Sequence, residues 1–236
     1  MGEAVYNRGM RRMEVDGVLV AAHELKEPLA VLRQLAFALP EMGSSGEQIR
    51  REMVDVSERA MRQVNDLTRI HRLEREGCEM EPVAVRVVCD EATNEVVRLF
   101  DERKQKITVS YRNRAKLVTA NRDLLRSVIF NFLTNAIHYA DKETETQMSV
   151  MDTGGLVRVA VRDYGPALPT DVWREMRRGF LEQPTSIAMR PGSSGLGLYI
   201  ASRFSRAMRA RVGAVRHRDG TSFYVEVPVS KQMSLI

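Results

Sequence analysis

The chain has 236 residues, 44% of them hydrophobic, and 36 basic against 31 acidic side chains give a formal charge of +5. That length and apolar content allow one large domain or two modest ones with a real core. The composition argues against several classes. No apolar run is long enough to cross a bilayer and no secretory leader is recognisable, so a cytoplasmic protein is expected. Cys78 and Cys89 are the only cysteines and lack metal-ligand spacing, so reduced thiols are expected rather than a disulfide. The arginines are scattered, and no helix-turn-helix or zinc-finger signature accompanies them, so nucleic acid is not the expected partner.

The first predicted element is a helix from about Met13 to Leu39. Val15, Val18, Ala22, Leu25, Leu29, Leu32, Ala36 and Leu39 alternate three and four apart, which is a heptad seam. His23 stands one residue past a seam position, so its imidazole is expected to face water. Neutral imidazole is a competent nucleophile near neutral pH. Glu24 is placed to hold Nδ1–H and leave Nε2 free. Pro28 removes one helical hydrogen bond and predicts a kink. After a turn at residues 40–46, a second amphipathic helix is expected from about Glu47 to Glu76. Ile49, Met53, Val56, Ala60, Val64, Leu67 and Ile70 form its apolar face. Two such helices joined by a short loop make an antiparallel hairpin. A hairpin buries its stripe poorly alone, so dimerisation into a four-helix bundle is expected.

The composition changes after a linker at about 77–82. A strand or helix opens at Val83 and a helix runs on to about Lys104. A strand follows at 107–111, then a helix at Arg122–Tyr139. Strands at 147–151 and 156–162 flank a turn, and a short helix is expected at 171–178. Residues 181–194 read as loop, 196–208 as a helix opened by glycines, and 211–215 and 222–229 as closing strands. Helices mixed with mostly antiparallel strands predict an α+β layer with helices on one face of a sheet.

Three further groups suit a nucleotide. Asn131 and Asn135 are four apart and share a helix face. A carboxamide oxygen suits Mg²⁺, and its NH₂ suits phosphate oxygen. Asp163 stands where a strand ends, beside Tyr164 and Gly165, and an aspartate there can accept a hydrogen bond from an exocyclic amine. The Gly192–Leu198 stretch carries glycines at 192, 195 and 197 directly before a helix. Backbone N–H groups at such a start face phosphate. Each group alone also has an ordinary reading, as a surface pair, a turn or a helix start.

Taken in this order, the four groups resemble the sensor histidine kinases of two-component signalling. The resemblance runs from about Val15 to Val229. It implies a dimerisation and histidine-phosphotransfer hairpin at 1–77, then an ATP-binding α+β sandwich at 78–236. It also implies ATP-dependent phosphorylation of His23, assisted by Glu24, and transfer to an aspartate of a response regulator. Asn135 would hold Mg²⁺ with Asn131 in support. Asp163 would read adenine, and Gly165, Gly195 and Gly197 would line the pocket. Leu196, Leu198, His138 and Tyr139 are included in the implied ATP site. The alternatives are a weakly active kinase-like scaffold and a phosphorelay transfer protein that bind a regulator without efficient autokinase activity. Some positions depart from the family pattern. Glu27 replaces the usual threonine or asparagine, which implies a bias to kinase over phosphatase. His138 stands where a lysine or arginine is common, and Ala167 and Ser193 replace glycines.

Overall fold

The computed structural model describes residues 29–36, 46–112, 117–141, 143–168, 170, 173–174 and 196–232. Most of the first predicted helix, with His23, Glu24 and Glu27, lies outside them, although residues 29–36 are helical. The expected loop at 181–194, Gly195 and nearly all of the expected 171–178 helix also lie outside.

Helix α1 spans Gly46–Glu76. It stops where the sequence places its first glycine after the apolar stripe. Gly77 takes φ +80° and its N–H reaches the Leu73 carbonyl at 3.0 Å, a left-handed cap that a Cβ would disfavour. Strand β1 (Glu81–Ala84) leads without a break into α2 (Val85–Glu102). The sequence signals of both strand and helix near Val83 were therefore each correct, one after the other. β2 (Lys106–Arg112), β3 (Leu117–Ala120) and α3 (Arg122–Tyr139) follow. Asn121 caps α3 by accepting the Leu124 N–H at 3.1 Å, and Asp123 in the first turn complements the helix dipole. The chain continues through β4 (Glu145–Asp152), β5 (Leu156–Asp163), α4 (Leu196–Ala207), β6 (Arg211–His217) and β7 (Gly220–Pro228).

Five strands form one sheet in the order β2-β4-β5-β7-β6. All neighbours are antiparallel except β2 and β4, which run parallel. β1 and β3 pair separately. β3 was not expected, because four residues are too short for a legible alternation. Along the inner strands β4, β5 and β7 alternate residues are buried, among them Met148, Val159, Val161, Phe223, Val225 and Val227. They meet Leu125, Ile129, Phe132 and Leu133 of α3 and Ile200 and Phe204 of α4 in one core. α3 is the central helix, between α2 and α4.

α1 packs against this domain as well. Ile70 is buried, and Leu67 and Leu73 join the core edge. Polar contacts flank that strip. Glu74 pairs with Arg203 of α4, and Arg62 pairs with Glu95 of α2 while lying 4.6 Å over the Phe130 ring. Arg69 reaches Asp123 at 3.1 Å, and the Ser127 hydroxyl donates to Asp66 at 3.2 Å. Burial pushes the Asp66 carboxyl above its ordinary range, against the opposing pull of the Ser127 bond, Arg69 and Arg62. The folded state thus binds this proton more tightly than the unfolded chain. Its stabilising contribution is present below about pH 4, the ordinary carboxylate value, and is lost as pH rises through the raised one. Asp66→Asn is therefore expected to match or exceed the wild type in melting temperature at pH 7.5. That advantage should vanish by pH 4. A melting temperature lowered at pH 7.5 alone would show that ion pairing outweighs burial.

Candidate functional site

α3 presents Asn131 and Asn135 toward the start of α4, where Gly197 passes close by. A Cβ at Gly197 would lie 2.9 Å from Asn131 Oδ1 and 3.9 Å from Asn135 Oδ1. Only a residue without a side chain lets the α4 backbone approach both carboxamides this closely. The first turn of α4 carries no acidic residue, so its N–H groups remain attractive to an anion.

The two asparagines are not equivalent. Asn131 Nδ2 donates to the Ser127 carbonyl at 2.9 Å, which holds that carboxamide along its own helix. Asn135 Nδ2 is buried and has no hydrogen-bond partner among the described residues. Leaving such a donor unsatisfied costs about 1–3 kcal/mol. A ligand oxygen at this position would remove that cost, which is a reason to read it as a binding group.

Asp163 ends β5, 1% exposed. It pairs in register with Thr221 of β7, and the Thr221 N–H donates to its Oδ1 at 3.1 Å. One carboxylate oxygen is thereby fixed and the carboxylate is oriented. Thr221 is fully buried and was missed by sequence reasoning, which began the last strand at residue 222. Its only sequence signal is its place in a β-rich run directly after Asp219–Gly220.

The packing of three of the expected site residues narrows how each could serve a ligand. Leu196 and Leu198 were expected at the ligand, yet they are 1% and 5% exposed and sit in the hydrophobic core. Only their backbone can serve a ligand. Gly165 was expected to admit a flat base. A Cβ there would lie 2.0 Å from the Tyr139 carbonyl oxygen, so the end of α3 also demands the glycine. His138 and Tyr139, in the last turn of α3, are half-buried. Among the described residues, no three His, Cys, Asp or Glu side chains gather as a metal site.

The paired asparagines, the helix start at Gly197 and the buried strand-end aspartate are thus carried by one layered sandwich of helices and sheet. Residues 120–231 match the family described as histidine kinase-, DNA gyrase B- and HSP90-like ATPases. The chain is 29% identical over 198 residues to the sensor-like histidine kinase SenX3 of Mycolicibacterium smegmatis, covering 80% of this chain and 51% of that one. It is similar in fold to the histidine kinase ThkA, solved in complex with the response regulator protein TrrA. That match has a TM-score of 0.67 and 17% identity, and it covers 94% of this chain and 65% of the other. Full-length ShkA in complex with AMPPNP matches with a TM-score of 0.62 and 24% identity, over 95% of this chain and 47% of that chain. The relatives that the chain matches in sequence are sensor histidine kinases, and the matched domain family includes histidine kinases. The chain spans about half the length of the curated relatives it matches.

Proposed function

We propose that this chain is an ATP-dependent histidine autokinase that passes its phosphoryl group to an aspartate of a response regulator. The observation that carries the reading is the buried, unpartnered Asn135 amide facing Gly197 at the opening of α4. That arrangement fits a nucleotide triphosphate. The α4 N-terminus and Asn135 Nδ2 would meet phosphate oxygens, and Asp163 would accept from the adenine amine. The residues also fit Mg²⁺, a hard cation that takes neutral oxygen ligands together with phosphate. Asn135 Oδ1, supported by Asn131 Oδ1, would hold it. Bound there, the ion would offset charge on the transferring phosphoryl group.

The acceptor in this reading is His23. Its Nε2 forms a bond to the γ-phosphorus as the bond from that phosphorus to the ADP oxygen breaks. Glu24 holds Nδ1–H and stabilises the charge left on the ring. Asn131 is a carboxamide and cannot act as a general base toward water. That favours transfer to imidazole over hydrolysis. A helical hairpin at 1–77 that dimerises belongs to the same proposal. Val54 and Met61 support it, since they lie seven residues apart on α1 and are exposed. Leaving such side chains in water forgoes about 1.5–3 kcal/mol each.

Incubation with γ-labelled ATP and Mg²⁺ tests the proposal. The wild type is expected to retain acid-labile, base-stable label. His23→Ala should lose it while keeping ATP affinity. Label persisting in His23→Ala would move the acceptor elsewhere. ATP binding without label in the wild type would favour the kinase-like scaffold.

A further inference from the structure

The helices α2, α3 and α4 lie on one face of the five-stranded sheet. On the other face, the described strand residues are mostly exposed or half-buried. Strand registers place one rung of side chains across that whole open face. Arg112 of β2 pairs with Met151 of β4, Met151 with Arg158 of β5, Arg158 with Glu226 of β7, and Glu226 with Arg211 of β6. Three arginines therefore stand on alternate strands of one rung.

The neighbouring rung is low. Ser110, Ser149 and Ala160 follow one another across β2, β4 and β5, and then come Tyr224 and Gly213. Tyr224 lies so close over Gly213 that a Cβ there would sit 2.3 Å from its hydroxyl. A strip with a small, hydroxyl-bearing floor thus runs beside the arginines.

The charges are unequally committed. Arg158 donates twice to Glu226, at 3.0 and 2.6 Å, and lies 4.2 Å over the Tyr224 ring. Glu226 is occupied by that bond, and its side chain is 13% exposed. On the far side of the strip, Arg162 pairs with Asp219 at 2.8 Å and covers the Tyr164 ring. Arg112 and Arg211 are exposed and make no ion pair among the described residues. The rung carries a net positive charge with a rigid centre and two open ends.

We propose that this strip docks an acidic peptide segment of a partner protein in polyproline II conformation, with a carboxylate at every third residue. The spacing carries the argument. Strands lie about 4.8 Å apart, so the backbone positions of successive arginines of the rung stand about 9.6 Å apart. A polyproline II helix has three residues per turn and rises about 3.1 Å per residue, which repeats one face every ~9.3 Å. A β-strand ligand would not match, because its residues i and i+3 face opposite sides. Single-stranded nucleic acid is disfavoured because both tyrosine rings are covered by guanidinium groups, leaving no open platform for bases.

The test uses the full chain and two fluorescent peptides of identical composition. One repeats Pro-Pro-Glu four times, and the other has eight prolines followed by four glutamates. The repeating peptide is expected to bind about fivefold or more tightly than the block peptide, and to weaken with added salt. The double variant Arg112→Ser, Arg211→Ser should remove that preference and leave affinity for an ATP analogue unchanged. Ser149→Glu, which places a like charge on the floor, should also weaken binding. Equal binding of the two peptides, no binding, or an unaltered preference in the variants would overturn the proposal. So would a twelve-residue oligothymidine binding as tightly as the repeating peptide.

Discussion

Asp163→Asn should lower ATP affinity by roughly ten- to a hundredfold while leaving the melting temperature nearly unchanged. A hydrogen bond to a charged group is worth about 1.5–3 kcal/mol, and about 1.4 kcal/mol corresponds to tenfold in affinity. The fold should tolerate the change because Thr221 donates its backbone N–H to Oδ1 at 3.1 Å, and an amide oxygen accepts that bond equally well. The second oxygen becomes an NH₂ group. In the proposed site it then faces the adenine amine donor to donor, and at 1% exposure no water replaces the lost partner. Isothermal calorimetry with ATP and Mg²⁺ measures the affinity, and thermal melting measures the fold. Unchanged affinity would remove Asp163 from the nucleotide site. A large fall in melting temperature would assign it a structural role instead.

Gly165→Ala should act on the fold first. Its new methyl would meet the Tyr139 carbonyl oxygen at 2.0 Å, the carbonyl carbon at 3.0 Å and the Ala140 Cα at 3.2 Å. These are backbone atoms at the end of the central helix, and they cannot swing aside like a side chain. Nearby, the Asp141 N–H donates to the Tyr164 carbonyl at 2.8 Å, so the same movement would break a backbone tie. A cost of about 3 kcal/mol or more is expected, at the upper end of overpacking. Gly154→Ala is the control. It has φ +79° but nothing within 4 Å of an added Cβ, so only backbone strain of about 1–2 kcal/mol applies. Urea denaturation of the two variants checks the difference. If Gly165→Ala is no less stable than Gly154→Ala, the close contact at Tyr139 does not hold in solution.

The two glycines near the candidate site illustrate how one residue type serves different ends. At Gly197 the obstacle is the Asn131 side-chain oxygen, so a substitution there displaces a carboxamide of the proposed site and spares the backbone. At Gly165 the obstacle is backbone. Both glycines look alike in the chain, since each stands in a short glycine-bearing stretch beside a polar residue. Which atoms oppose them depends on the packing of α3 against β5 and α4.

Local patterns determined much of this protein. The 3.6-residue period placed α3 at Arg122–Tyr139, with both asparagines on one face, because a helix expresses its pattern within each turn. Strict alternation placed β4 and β5, since one face of the sheet is buried and the other open. The glycines before Leu196 marked the start of α4. Other features came only from tertiary structure. β3 is four residues long and exists through its pairing with β1. Thr221 meets Asp163 through a register between strands 58 residues apart in sequence. The Asp66 contact with Ser127, the burial of Leu196 and Leu198, and the alignment of Arg112, Arg158 and Arg211 in one rung depend likewise on distant segments meeting. Periodicity records which way a side chain faces within its own element. It holds no record of which element it will face, and that is decided when the sheet and helices close on a common core.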